Sequence, residues 1–391
     1  DNYVPVYDAT IVKKLREAGA DFVCKASMDE LGMGGTNKNA YTGAVHNPYD
    51  LDRIPGGSSG GCAALVAAGC VPLAIGTDTG DSVRKPAAYC GVVGVKPTYG
   101  RISRYGIIPY ASSLDHVGYF TTNVKDAALA LEVLAGRDDH DMTSSYEAVK
   151  EYSKLLNGNL TNKTIGIFKT VMDEVKNEEL KAQFNTLVSK LEEKGAKIVE
   201  VEMPKEYMEL IAPVYKTIAN AEATANHSNL DGIRFGMREE GQDLEEVMTN
   251  TRTKGFSSYV RARFVIGSYS LFEENQDRLF RKAQKIRRLI VQAYAKMFEE
   301  CDAVLSVAAP TIAPLINEST NVRFGVSSFA EEHMQLQNFS GYPSITLPLG
   351  KVDSMPVAVN LTCKPFEEQK MFDVSSAIEE CTGLKGQCLE G

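Results

Sequence analysis

The sequence has 391 residues, 43% of them hydrophobic and 24% charged, which is the composition of a globular protein with enough chain for a large core. Its 42 basic and 51 acidic residues give a net charge of −9, which argues against direct nucleic-acid binding, because phosphate contacts need a basic face. No apolar run reaches 18 residues and no signal-peptide pattern is present, so we expect no membrane span, no secretion and a cytoplasmic location.

The first segment predicts a helix after Asp8-Ala9-Thr10, because the apolar residues that follow recur at helical spacing until Gly19. The residues DFVC (21–24) predict a short buried strand. The stretch 34–59 is rich in Gly, Asn, Ser and Pro and predicts a long loop.

Two polar turns flank the next elements. GGSSGG (56–61) leads into a small-residue helix (62–69), which is followed by a buried strand (71–76) and a second polar turn (77–82). Because the order is loop, helix, strand, loop, both turns can reach the same edge of a sheet. We therefore expect Ser58 and Ser82 to lie close together.

The remainder of the chain alternates extended and helical patterns. Strands are predicted at 164–169, 197–204, 303–310, 343–350 and 356–363, and helices at about 177–194, 271–299 and 368–381. This alternation predicts an α/β fold with a mixed β-sheet covered by helices on both faces, in a single domain.

Eight cysteines are scattered over the chain, with no C-x-x-C pair and no histidine at metal-ligand spacing. The sequence therefore predicts no metal site. In a chain of this length we expect buried thiols of a reducing compartment.

The glycine-rich turn at 56–61 leaves two chemical interpretations open. A helix that begins near Gly60 presents free N–H groups, which can hold a phosphate or stabilise an oxyanion. GGSSGG lacks the Lys-[Ser/Thr] ending of a P-loop, and it is not a G-x-G-x-x-G motif after a strand. As a bare pattern it also matches a flexible linker, against which the adjoining apolar helix argues.

A nucleophilic serine needs a base, and the five histidines show no recognisable triad order. A lysine of lowered pKa is the alternative base. The residues alone do not indicate which lysine would act.

Five segments carry a family resemblance: KASMDELGMGG (25–35), HNPYDLDRIPGGSSGG (46–61), GTDTGDSVRKPAAYCGVVGVKPTYGRISRYG (76–106), PYASSLDHVG (109–118) and KAQKIRRLI (282–290). They resemble the amidase signature family and, within it, the glutamine-hydrolysing components of glutamyl-tRNA(Gln) amidotransferases, known as the A subunits. The likeness covers nearly the whole chain.

The resemblance implies a Ser–Ser–Lys triad. Ser82 matches the nucleophile, and Ser58 matches a bridging serine that follows a non-proline cis peptide bond. The backbone amides of Thr79, Gly80, Asp81 and Ser82 match the oxyanion hole. Asp78 and Arg84 match a polar pair that braces this loop.

The resemblance also implies substrate-binding residues. Arg287 matches an arginine that holds the α-carboxylate of glutamine, although a solvated place on a basic helix face is the alternative. Glu331 stands where the related amidotransferases have an aspartate facing the α-amino group, and Glu332 is the other candidate.

Two departures from the family pattern are present. The family's catalytic lysine lies upstream of the region that corresponds to Asp1, so residues 1–391 are expected to form a single amidase signature domain without the N-terminal strand and helices that carry it. Asp81 replaces a glycine, and if that position needs a positive φ, Asp tolerates it better than most residues do. Its carboxylate would hinder an oxyanion unless it points away.

The function implied by the resemblance is glutamine hydrolysis through a serine acyl-enzyme. The ammonia would pass to a partner protein that amidates Glu-tRNA(Gln) or Asp-tRNA(Asn). The B and C subunits of the amidotransferase would be the partners, tRNA would be bound by the complex, ATP and Mg²⁺ would belong to the partner, and this chain would need no cofactor. A stand-alone amidase and a non-catalytic scaffold protein are the alternatives.

Overall fold

One mixed sheet organises the molecule in the computed structural model, which describes residues 4–318 and 328–389. Within those residues its eight strands are β1 (Leu73–Asp78), β2 (Val93–Lys96), β3 (His116–Thr121), β4 (Thr164–Phe168), β5 (Lys197–Val201), β6 (Ala303–Val307), β7 (Ser344–Val352) and β8 (Met355–Cys363).

The strands lie in the order β1-β3-β2-β7-β8-β6-β4-β5. The β4 strand pairs in parallel with both β5 and β6, and all other neighbours are antiparallel. The β1 strand therefore lies at one edge of the described sheet. Its last residue, Asp78, is paired with His116 of β3.

Fifteen α-helices occur in the described residues. They are α1 (Thr10–Glu17), α2 (Gly60–Ala67), α3 (Arg84–Cys90), α4 (Val124–Leu134), α5 (Tyr152–Leu155), α6 (Lys169–Met172), α7 (Glu178–Glu193), α8 (Lys205–Asn226), α9 (Leu244–Gly255), α10 (Ser258–Leu271), α11 (Glu273–Gln276), α12 (Phe280–Met297), α13 (Phe329–Glu332), α14 (Gln335–Ser340) and α15 (Glu368–Thr382).

Helices cover both faces of the sheet, as two adjacent residues of β3 show. Tyr119 and Phe120 point to opposite faces because side chains alternate along a strand. The Tyr119 hydroxyl donates to the carbonyl of Ala127 in α4 at 2.8 Å. Phe120 packs in a second apolar cluster with residues of α2 and α3, such as Val66 and Ala87. The predicted α/β fold with a mixed, two-sided sheet is confirmed.

The strand predicted at 21–24 is wrong. Phe22 and Val23 are 49% and 74% exposed, and the segment has no regular secondary structure. The prediction failed because an apolar run of four residues carries no information about a partner strand. The long helix predicted at about 271–299 is two helices, α11 and α12.

The prediction that all the cysteines are buried is also wrong. Cys90, Cys301 and Cys363 are buried, whereas Cys24, Cys70 and Cys388 are exposed. Among the described residues, no group of three or more His, Cys, Asp or Glu side chains could hold a metal ion. No helix in the same part of the chain combines the length and apolar character that crossing a bilayer requires.

Candidate active site

Ser82 lies in the turn that joins β1 to α3 and is 6% exposed. Its side chain borders a cavity of about 150 Å³. From the same turn, Gly80 and Asp81 line this cavity too. The sequence therefore places a serine residue at a sheet edge, beside an open cavity large enough for part of a small substrate.

The Ser82 turn is held by a buried ion pair. The Arg84 guanidinium donates to both carboxylate oxygens of Asp78, with Nη2–Oδ1 at 2.8 Å and Nε–Oδ2 at 3.0 Å, and to the carbonyl of Gly80 at 2.8 Å. Burial alone would raise the pKa of Asp78, but the charge and hydrogen bonds of Arg84 outweigh it and hold that pKa well below its usual range. The structure thus brings Asp78 and Arg84 together around this loop.

The C-terminal part of the chain completes this brace. Asn338 of α14 accepts from Arg84 Nη2 at 2.6 Å through its Oδ1 and donates to the carbonyl of Asp78 at 2.9 Å through its Nδ2. Gln337 and the carbonyl of Met334 accept from Arg84 Nη1, each at 2.8 Å. The position of the Ser82 turn therefore depends on residues about 250 positions later in the chain.

Backbone amides in the Ser82 turn remain available. Within the described residues, the successive N–H groups of 80–82 donate no hydrogen bond. The Thr79 hydroxyl fixes the start of the turn by donating to Asp115 Oδ1 at 2.7 Å. Unpaired amides in a tight turn beside a nucleophile are suited to stabilising an oxyanion.

Ser58 is brought beside the Ser82 turn through the backbone. The amide of its neighbour Ser59 donates to the carbonyl of Ser82 at 3.1 Å, and the Gly57–Ser58 peptide bond is cis. The Ser58 side chain is only 1% exposed, and its hydroxyl has no hydrogen-bond partner in the part of the chain that the structure describes. The two serine-bearing turns therefore meet, as the chain order predicts.

The glycines of the 56–61 turn are explained by close packing. A Cβ atom on Gly57 would lie 2.3 Å from Asp29 Oδ2, and one on Gly61 would lie 2.3 Å from the carbonyl oxygen of Ser27. The amide of Gly60, at the start of α2, already donates to Asn37 Oδ1 at 2.8 Å. This ordered, buried arrangement favours neither a flexible linker nor a phosphate site.

Asp81 is not one of the described residues that have a positive φ, so its backbone is not left-handed. Position 81 therefore does not need a positive φ, and the tolerance of Asp for that conformation is not used. The Asp81 carboxylate lies 3.4 Å from Lys85 Nζ, and burial raises its pKa.

Arg287 lies outside the cavity beside Ser82, in contrast to the predicted contact with a substrate carboxylate. Its guanidinium donates to the carbonyl of Phe339 and to both the hydroxyl and the carbonyl of Ser113, at 2.8–3.1 Å. Because these protein groups occupy the guanidinium, we correct the prediction: Arg287 joins α12 to α14 and to the loop before β3. It is not on a solvated helix face either.

Arg263 of α10 is the arginine that lines the Ser82 cavity, and it is not among the site residues predicted from the sequence. Its guanidinium donates a hydrogen bond to the Tyr110 hydroxyl, and its Cζ atom lies over the Tyr259 ring, 4.9 Å from the ring centre. The available signal was the spacing of Tyr259 and Arg263, which puts an aromatic ring and a cation on one helix face.

Glu331 and Glu332 of the short helix α13 both line the same cavity. The Glu331 carbonyl accepts from Lys85 Nζ at 2.9 Å. Ser82, Arg263 and both glutamates thus line one small space.

Comparisons with known proteins agree with this geometry. The family model described as amidase matches residues 1–372. The A subunit of glutamyl-tRNA(Gln) amidotransferase from Fusobacterium nucleatum is 42% identical over 385 residues, covering 98% of this chain and 78% of that protein. Its counterpart from Bdellovibrio bacteriovorus is 40% identical over 394 residues, covering 99% and 80%.

Two solved structures share the fold. The A subunit of glutamyl-tRNA(Gln) amidotransferase from Thermotoga maritima is 34% identical with a TM-score of 0.81, covering 97% of this chain and 77% of that one. The peptide amidase of Stenotrophomonas maltophilia is 28% identical with a TM-score of 0.79, covering 96% and 77%. With its two facing serine turns and these likenesses, the chain belongs to the amidase family.

Proposed function

We propose that this chain is the glutamine-hydrolysing component of a tRNA-dependent amidotransferase. The observation that carries the proposal is the meeting of the two serine turns, with unpaired amides at 80–82 beside the Ser82 hydroxyl. The similarity to amidotransferase A subunits over almost the entire chain supports glutamine as the amide substrate.

In the proposed reaction, Ser82 Oγ attacks the side-chain amide carbon of glutamine and gives up its proton. The N–H groups of 80–82 stabilise the negative charge that develops on the amide oxygen. The carbon–nitrogen bond then breaks and the nitrogen leaves as ammonia after taking a proton. Water attacks the resulting ester, which releases glutamate and restores the Ser82 hydroxyl.

Proton transfer in this reaction is assigned to Ser58 and a lysine. The unpartnered, buried hydroxyl of Ser58 supports this assignment, because a buried polar group normally has a partner. We propose that residues 1–391 are a single amidase domain and that a lysine outside them bonds Ser58. The Ser82 hydroxyl then gives its proton to Ser58 Oγ while Ser58 gives its own proton to the lysine.

Charge complementarity supports amino-acid recognition in the cavity. Arg263, Glu331 and Glu332 all line the cavity. In the proposal Arg263 holds the α-carboxylate of glutamine, and Glu331 or Glu332 faces its ammonium group. In this proposal Arg263, and not Arg287, binds the α-carboxylate.

The wider proposal concerns partners. Ammonia would pass to the B subunit of the amidotransferase, assembled with the C subunit, which amidates tRNA-bound glutamate or aspartate in the cytoplasm. ATP, Mg²⁺ and tRNA would be bound by those partners, with no cofactor in this chain. The net charge of −9 fits a chain that leaves tRNA contacts to others.

The test is ammonia release from glutamine by the complete protein, purified with the proteins that accompany it. We expect Ser82→Ala to abolish the release without changing the melting temperature by more than a few degrees. Retained release would refute Ser82 as the nucleophile. Hydrolysis of peptide amides in preference to glutamine, with no copurifying tRNA-binding partner, would instead indicate a stand-alone amidase. No hydrolysis of any amide would indicate a scaffold.

A further inference from the structure

Asp81 places a carboxylate in the turn whose 80–82 amides donate to no protein group in the described residues, and Lys85 lies beside that carboxylate. We infer that Lys85 is a positioning residue that neutralises Asp81, so that an oxyanion can form beside Ser82. This inference rests on the proposed acyl transfer at Ser82.

Asp81 and Lys85 are joined both through their backbones and through their side chains. Asp81 and Lys85 stand four positions apart where α3 begins, and the Lys85 amide donates to the Asp81 carbonyl at 2.8 Å. Their side chains meet with Lys85 Nζ 3.4 Å from Asp81 Oδ2, and both line the cavity with Ser82. The Lys85 side chain is 11% exposed, so its ammonium has limited access to water.

Lys85 also reaches the opposite wall of the cavity. Its Nζ donates to the carbonyl of Glu331 at 2.9 Å. One ammonium group therefore links the Ser82 turn to α13, whose residues Glu331 and Glu332 line the same space. Removing the Lys85 charge would both free the Asp81 carboxylate and loosen this link.

The other charges near Asp81 do not replace Lys85. Arg84 directs its guanidinium to Asp78, Gly80 and the α14 residues. Asp78 and Glu332 are acidic and repel a second negative charge. The Asp81 carboxylate thus depends chiefly on Lys85.

The chemical consequence follows from Coulomb's law. Two like charges a few ångströms apart in a partly buried site repel by a few kcal/mol. A free carboxylate on residue 81 would therefore oppose the oxyanion that the 80–82 amides stabilise. Paired with Lys85, the carboxylate leaves the turn without net charge, which is the condition that a glycine meets by having no side chain.

The experiment compares three variants of the complete protein with the parent. We expect Lys85→Gln to lower kcat for glutamine about 10- to 100-fold with KM changed less than threefold, because the repulsion acts on the transition state. Lys85→Arg should keep most of the activity. Asp81→Asn/Lys85→Gln, which keeps both shapes but removes both charges, should recover to within about fivefold of the parent.

A matched control is Lys169→Gln, which removes an exposed ion pair of the same four-residue spacing, with Lys169 Nζ 2.8 Å from Asp173 Oδ2. We expect it to leave kcat unchanged. A double variant that is as slow as Lys85→Gln would overturn the inference, since the loss would then be structural. So would a rise of several orders of magnitude in Asp81→Gly, because Asp81 would then be an uncompensated lesion.

A second readout separates this inference from the proposed substrate. A fluorophosphonate reagent phosphonylates a reactive serine oxygen and releases fluoride, and mass spectrometry locates the product on Ser82. If the parent does not hydrolyse glutamine but its labelling rate falls in Lys85→Gln and recovers in the double variant, the charge pair stands and the substrate proposal fails. If glutamine is hydrolysed and neither rate responds to Lys85→Gln, the charge-pair inference fails alone.

Discussion

Arg84 and Asp78 form a bidentate ion pair in which both side chains are completely inaccessible to water. Replacing the arginine by methionine keeps much of its volume but leaves Asp78 as an unpaired buried charge. We expect Arg84→Met to lower the free energy of unfolding by about 3–5 kcal/mol, measured by urea denaturation at pH 7.

The matched control is Lys194→Met, which breaks a half-exposed pair with Glu380 at 2.8 Å. Because water screens that pair, we expect a loss of less than about 1 kcal/mol. Equal losses in the two variants would contradict the structural importance of the buried pair.

Two adjacent serines should respond in opposite ways to the loss of their hydroxyl groups. Ser58 Oγ is buried without a partner among the described residues, so Ser58→Ala in the 391-residue chain should raise the free energy of unfolding by about 1 kcal/mol. Ser59 Oγ donates to the carbonyl of Thr77 at 3.1 Å and accepts from its amide at 3.2 Å. Ser59→Ala should therefore lower it by about 1–2 kcal/mol.

Urea denaturation of the two alanine variants side by side checks this contrast. In the complete protein, where we propose that a lysine bonds Ser58, we expect Ser58→Ala to lose glutamine hydrolysis. A large stability loss in Ser58→Ala would show that its hydroxyl is already bonded.

The two arginines near the site should separate binding from stability. We expect Arg263→Lys to raise KM for glutamine about 10- to 100-fold, because a charged, fork-shaped contact is worth about 1.5–3 kcal/mol. Arg287→Lys should leave KM within about twofold and lower the free energy of unfolding by about 1–3 kcal/mol, since the carbonyl of Phe339 loses its donors.

Steady-state kinetics and urea denaturation of both variants are the measurements. The reverse pattern, with KM responding to Arg287, would restore the original prediction from the sequence.

Asp115 should give stability a distinct pH dependence. Burial raises its pKa to about 6 from an ordinary 3.8, against the lowering effect of hydrogen bonds from Thr79 and Ala111. Between about pH 4 and pH 6 the folded protein therefore binds a proton that the unfolded chain has released, and the contribution of Asp115 to the free energy of unfolding falls as the pH rises.

The measurement is the difference in unfolding free energy between the parent and Asp115→Asn, from urea denaturation at several pH values. We expect this difference to shift against the parent by about 3 kcal/mol between pH 4 and pH 7. A constant difference would contradict the raised pKa.

The serine turns could be predicted because their connection is short and local. Only α2 and β1 separate Ser58 from Ser82, so the order of elements alone restricts where both can lie. Arg263 could not be predicted in this way, because α10 reaches the cavity by packing against α8, far from either turn in sequence.

Neither the family resemblance nor the charge pattern predicted the contacts of Arg287, for a related reason. A basic helix face indicates which residues lie together on α12, but the partners of Arg287 are Ser113 and Phe339, which come from distant parts of the chain. The short apolar segment 21–24 failed as a strand because pairing, too, depends on a partner that no local pattern identifies.

The contact between Asn338 and Asp78 joins residues that are synthesised at very different times. During synthesis the Ser82 turn leaves the ribosome long before Asn338, which lies 260 positions after Asp78. A nascent chain would therefore carry Ser82 without a finished catalytic loop, and hydrolysis would be withheld until Asn338 has been made and has bonded Asp78.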